Sequence, residues 1–159
     1  MKKLLNQNKK RKKENELRQK IIEILKAIKE PEERILDVHG SNEYGLDIVL
    51  IKLDPFGQLR AYGVQIKNGD IKCTGKPSLK IKEIIGQLAI AFGDDCEVDG
   101  KKYRYDGFYV VTNGEISWQA KKYIDSACVG IRNLHFIDKH AFEEFINKNK
   151  PKAEKLKET

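Results

Sequence analysis

Apolar residues recur along this chain at two spacings. Leu17, Ile21, Ile24, Leu25 and Ile28 fall on one stripe at the helical period, which predicts a helix over residues 14–30 that Pro31 stops. Residues 33–39, ERILDVH, read as a first strand, and the run from Gly45 to Lys67, GLDIVLIKLDPFGQLRAYGVQIK, reads as two strands joined by a hairpin. Ile81, Ile84, Ile85, Leu88, Ala91 and Phe92 then predict a helix from Leu79 to Phe92, ended by Gly93. A polar connector over 94–102 and a Tyr103-Arg104-Tyr105 edge strand lead to a short buried strand, Phe108–Val111. Ser117 suits the N-cap of a third helix with Ala120, Tyr123, Ile124 and Ala127 inward. Leu134–Ile137 is the last strand, and Asp138 caps a final helix packed by Phe142, Phe145 and Ile146. Strands separated by helices after one early hairpin predict an α/β fold, a mixed central sheet flanked by helices.

The hairpin register follows from its turn. In Asp54-Pro55-Phe56-Gly57, aspartate suits the position before a type I turn, proline presets φ, and glycine takes the left-handed position that closes a three-residue loop. Asp54 then pairs with Gln58, Leu53 with Leu59 and, counting outward, Asp47 with Gln65. Directly opposed residues share a face with Cβ atoms about 5 Å apart, and Lys67, two residues on, shares it too. Ile48, Leu50, Tyr62, Val64 and Ile66 take the other face. Both faces are largely apolar, as in a covered sheet, so three polar side chains stand out at one end of it.

Charge changes the picture. The chain of 159 residues has a net charge of +7, which points to a polyanionic partner, nucleic acid before membrane. Residues 1–13, MKKLLNQNKKRKK, read as a flexible basic arm, 14–148 as one domain and 149–159 as a polar, mobile tail. Cys73, Cys96 and Cys128 show no C-x-x-C spacing and suit a reducing compartment. There is no signal-peptide pattern and no run long enough to span a membrane, so the expected location is cytoplasmic. No P-loop, dinucleotide fingerprint or nucleophile elbow is present, which leaves nucleotide hydrolysis and acyl transfer without support.

The chemistry of the three polar residues is complementary. The Asp47 carboxylate and the Gln65 amide oxygen are hard-cation ligands suited to Mg²⁺ or Mn²⁺. Lys67 can orient a water or offset negative charge growing on a phosphate. Glu43, four residues before Asp47, is a candidate metal ligand, a base supporting the site or a residue of the nucleic-acid contact, or else merely a loop acid. His39 ends its strand, where a structural role competes with DNA contact or activation of water. Lys72 and Lys76, in the basic turn-rich loop after Lys67, are candidate nucleic-acid contacts. Trp118 reads as packing or as part of a dimer surface.

GLD followed one hairpin later by VQIK resembles the PD-(D/E)xK nuclease superfamily, and the QxK form its Mrr-type, restriction-endonuclease-like branch. SNEYGLDI is similar to the E-x-G-x-D-I segment of some members, and the resemblance covers roughly residues 14–148. It implies a restriction-endonuclease-like αβββαβ core, divalent-metal dependence and cleavage of DNA. It also implies a first-helix glutamate completing the metal site, for which Glu16 is the choice and Glu23 the alternate, and a glutamine of the second helix, Gln87, near the active site. Leu46 stands where the superfamily has proline, and Gln65 where most members have an acid. The expectation is a Mg²⁺- or Mn²⁺-dependent DNA endonuclease, restriction-like or structure-selective. A Holliday-junction resolvase acting as a homodimer also fits so small a basic chain. From other classes come a non-catalytic nucleic-acid-binding module on the same fold, which Gln65 favours, and a small structural or interaction protein.

Overall fold

The computed structural model describes residues 1–40, 45–131 and 133–158. Helix α1 (Lys2–Ile28) leads into strands β1 (Arg34–Asp37), β2 (Ile48–Leu53) and β3 (Leu59–Lys67). Helix α2 (Leu79–Phe92) connects to β4 (Asp95–Val98) and β5 (Lys101–Thr112); α3 (Trp118–Ala127), β6 (Leu134–Ile137) and α4 (Lys139–Lys157) complete the chain. Strands β1, β2 and β3 form an antiparallel meander. The two helical connections make β5 parallel to β3 and β6 parallel to β5. The fold is therefore α/β with a mixed six-stranded sheet. Among the described residues no helix is long and apolar enough to cross a membrane.

The turn sets the hairpin as its residues predict. Asp54 N–H donates to Gln58 O at 2.8 Å and Gly57 N–H to Asp54 O at 3.0 Å. The Asp54 carboxylate takes the N–H groups of Phe56 and Gln58, and Gly57 sits at φ 74°. Leu53 pairs with Leu59, and the ladder runs to Ile48 opposite Val64.

The strand period of two divides the core. Val49, Ile51, Ala61, Phe108 and Val110 pack beneath Ile81, Ile84 and Leu88 of α2 and Ile124 of α3. Ile48, Leu50, Val64, Ile66 and Val111 pack beneath Leu17, Ile21 and Ile22 of α1 and Phe142 of α4. Each large side chain so buried contributes roughly 1.5–3 kcal/mol. Tyr123, expected inward on α3, is exposed; Ala120 and Ile124 alone fill its inner face.

Three segments differ from expectation. Residues 2–13 are not a coil arm but the first turns of α1, because no glycine or proline interrupts a run of good helix formers. At the other end α4 continues through Pro151 to Lys157, and Lys157 Nζ meets Glu23 Oε1 of α1 at 2.6 Å. The polar connector is a hairpin: Asp99 (φ 53°) and Gly100 (φ 78°) turn β4 back onto the first half of β5.

Candidate active site

At Asp47 the β2–β3 ladder ends and a side chain takes over from the backbone. Asp47 N–H donates to Val64 O at 2.8 Å, and its Oδ2 accepts the Ile66 N–H at 2.7 Å. Its Oδ1 lies 2.7 Å from Nδ1 of His39, which β1 delivers from the adjoining strand. The carboxylate is thus fixed by two partners and remains partly open, 15 % exposed.

Gln65 and Lys67 point to the α2 side of the sheet and are both buried. Gln65 Nε2 donates to Gln87 Oε1 at 3.1 Å, while Gln65 Oε1 is buried with no hydrogen-bond partner. Lys67 Nζ donates to Gln87 Oε1 at 3.2 Å and to Glu83 Oε1 at 3.1 Å. Gln87 and Glu83 are four apart on α2 and so share one helix face; Ser78, whose Oγ accepts the Ile81 N–H, starts that helix. Gly45 completes the packing. It sits at φ 80°, and a Cβ there would lie 2.6 Å from Cδ of Gln87. A side chain at position 45 would push Gln87 off both Gln65 and Lys67.

The hairpin therefore puts Gln65 and Lys67 together against Gln87 of α2, while Asp47 ends the ladder on His39 and the Ile66 N–H. Neither Glu16 nor Glu23 joins them. Both are exposed, and α1 packs on the sheet face opposite Gln65 and Lys67. The phase of the helix explains the correction: with Leu17 and Ile21 inward, Glu16 and Glu23 turn outward. Glu14, three residues before Leu17, is the α1 acid that reaches the strand end; its Oε1 accepts the Asn68 N–H at 3.3 Å. Glu43 lies outside the described residues. Lys72 is exposed and paired with Asp70 at 3.4 Å, and Lys76 is exposed on the same loop.

Two neighbours were not legible as site residues. Glu83 is not among the residues singled out from the sequence, yet its spacing of four from Gln87 is the signal that would have found it. His39 had a role left open, and its contact with Asp47 depends on β1 pairing antiparallel to β2, with Asp37 opposite Ile48.

The loop after Lys67 is tied down. Thr112 Oγ1 donates to Gly69 O, Gly69 N–H to Asn113 Oδ1 at 2.6 Å and Glu115 N–H to Asp70 Oδ1 at 2.9 Å. Lys80 Nζ donates to the carbonyls of Asn68 (2.8 Å) and Asp70 (3.0 Å). Burial, with the Lys10 ammonium beside it, holds Lys80 below the usual lysine range.

Could a divalent cation fit? The donor set is a carboxylate with an amide oxygen, hard oxygen ligands of the kind Mg²⁺ and Mn²⁺ take. An amide oxygen buried without a partner costs roughly 1–3 kcal/mol, and a cation would satisfy it. Among the described residues no cluster of three or more His, Cys, Asp or Glu gathers, so charge on the ligands would come from Asp47. Comparison of the chain with family models, curated proteins and solved structures gives no match.

Proposed function

We propose that this protein is a divalent-metal-dependent endonuclease that hydrolyses phosphodiester bonds in DNA. The observation that carries the reading is the Gln65 amide oxygen: fully buried, without a partner, between Val64 and Ile66, whose backbone groups bond Asp47, and beside Lys67. Asp47 and Gln65 would hold Mg²⁺ or Mn²⁺. When bound, such an ion supplies positive charge that favours ionisation of water and stabilises charge on the phosphate. His39 and the Ile66 N–H keep the Asp47 carboxylate aimed. Gln87 and Glu83 hold the Lys67 ammonium in place, where it would offset charge on the phosphate oxygens without first having to reorganise. The element order, a helix, an antiparallel three-strand meander, a helix and a parallel strand, supports a restriction-endonuclease-like core.

A second reading keeps the DNA and drops the chemistry: a nucleic-acid-binding module on the same fold. Glu83 favours it, because its carboxylate already neutralises Lys67. Cleavage of supercoiled plasmid and of a four-way DNA junction, with Mg²⁺, Mn²⁺ or chelator, separates the two. Metal-dependent nicking that Asp47→Ala and Lys67→Ala abolish supports the nuclease. Preference for the junction, together with a dimer in solution, supports a resolvase. DNA binding with no cleavage in either metal supports the module.

A further inference from the structure

Trp118 is the only tryptophan in the chain, and the fold does not use it. It occupies the first position of α3, behind the Ser117 cap, and is 67 % exposed. The inner face of that helix is supplied by Ala120 and Ile124. Lys122, one turn on, holds its Nζ 4.9 Å from the centre of the indole ring. Leu79, at the start of α2, is also exposed.

Its position is fixed relative to the hairpin site. Ile71, four residues after Lys67, bridges Ile116. Ile71 N–H donates to Glu115 O at 2.8 Å and Ser117 N–H to Ile71 O at 3.0 Å, and the Cys73 N–H reaches Ser117 Oγ at 3.4 Å. With the Asn113, Thr112 and Glu115 contacts to residues 68–70, these bonds lace the loop leaving Lys67 to the loop entering α3. The indole therefore stands on the same frame as Lys67, at the end of the sheet where β3 and β5 both finish.

We propose that Trp118 is a stacking platform for an unpaired base, and that the DNA brought to the hairpin site carries a single-stranded segment. This rests on the nuclease reading and narrows its substrate class to DNA with unpaired bases. Three features select a base over an apolar protein partner. An indole face accepts any base by stacking, with no hydrogen bond needed. Lys122, whose ammonium lies over the ring, and Lys76 on the adjoining loop supply cations for the flanking phosphates. A second copy of the chain docking here through a two-fold axis would set this lysine-bearing patch against itself, like charge facing like charge.

Because Trp118 is alone, its emission reports on the site directly. With chelator present to prevent turnover, the protein is titrated with a labelled single-stranded oligonucleotide and with the matching duplex. Label anisotropy gives binding, and tryptophan emission gives stacking. Emission quenched by the single strand more than by the duplex is expected. Trp118→Ala should weaken single-strand binding about tenfold or more, with Trp118→Phe restoring most of it. Bound single strand with unchanged emission, or Trp118→Ala binding it as tightly as wild type, overturns the proposal. So does sedimentation showing a dimer that Trp118→Ala dissolves. Binding of duplex with a silent Trp118 overturns the stacking role alone; no binding to any DNA overturns the nuclease reading with it.

Discussion

Replacing Lys9, Lys10, Arg11, Lys12 and Lys13 by glutamine removes five cations from α1 without touching the core, since the first buried residue of the helix is Leu17. Seven of the 31 basic residues lie within residues 1–13, with no acid among them, so the rest of the chain carries 24 of each sign. The whole net charge thus sits on a helix whose last turn before the core places Glu14 at Asn68 and whose Lys10 acts on Lys80, beside the site. At about 100° per residue, Lys9, Lys12 and Lys13 fall within one arc of about 100°, so three phosphate contacts are expected from one side of the helix. Each contributes about 0.9 to the slope of log affinity against log salt. The quintuple variant should therefore show a slope shallower by about 2.7, which between 50 and 200 mM salt is a difference of about 40-fold. Glutamine has nearly the helix propensity of lysine, and circular dichroism should confirm that helix content is retained. Anisotropy of a labelled duplex at four salt concentrations measures the slope. A slope equal to wild type would refute the assignment of the charge to DNA.

Glu33→Gln should cost about 3 kcal/mol, because the buried carboxylate takes Lys52 Nζ at 2.5 Å and the N–H groups of Leu53 and Glu30. Burial works to raise the Glu33 carboxyl, but those donors outweigh it and hold it below its ordinary 4.5. Its stabilisation is therefore full above that value and lost as pH falls through the lowered folded one. Urea unfolding of the two proteins across this range should show the gap closing in acid, and a constant gap would contradict it. Gly114→Ala would place a Cβ 2.4 Å from the backbone carbon of Gly69. It should destabilise by about 1–3 kcal/mol and lose cleavage, as the loop after Lys67 is levered away; wild-type values of both would count against the lacing. His39→Ala should leave stability within about 0.5 kcal/mol, as for a partly exposed residue. It should lower metal-dependent cleavage about 10–100-fold by releasing Asp47, and an unchanged rate would remove His39 from the site.

The hairpin was readable because its turn chemistry is local: Asp54, Pro55 and Gly57 fix a loop length, and loop length fixes which side chains oppose. From that register alone Gln65 and Lys67 fall on one face. Where side chains meet through tertiary packing, the sequence was silent. Glu16 and Glu14 are both acids early in α1, and only the phase set by Leu17 and Ile21 against the sheet decides that Glu14 reaches Asn68. Glu83 joins Lys67 because α2 crosses over β3, a distance of 16 residues along the chain. The β4–β5 hairpin did carry a local signal, Asp99-Gly100 between the alternating Cys96 and Val98 and the tyrosines Tyr103 and Tyr105. The surrounding acids and lysines outweighed it in a reading by polarity. Helical order in residues 2–13 could not be read from an apolar stripe, since nothing there packs; propensity alone sustains it.

The most direct test of a metal site at Gln65 is thermal unfolding of wild type, Gln65→Leu and Asp47→Ala with and without Mn²⁺. Without metal, Gln65→Leu should stay within about 1 kcal/mol of wild type, because losing the bond to Gln87 is offset by removing a buried oxygen that has no partner. At 100-fold excess over its dissociation constant, Mn²⁺ should stabilise wild type by about 2.7 kcal/mol, a rise of several degrees, and leave both variants unmoved. Mn²⁺ that raised all three alike, or none of them, would contradict a cation held by Asp47 and Gln65.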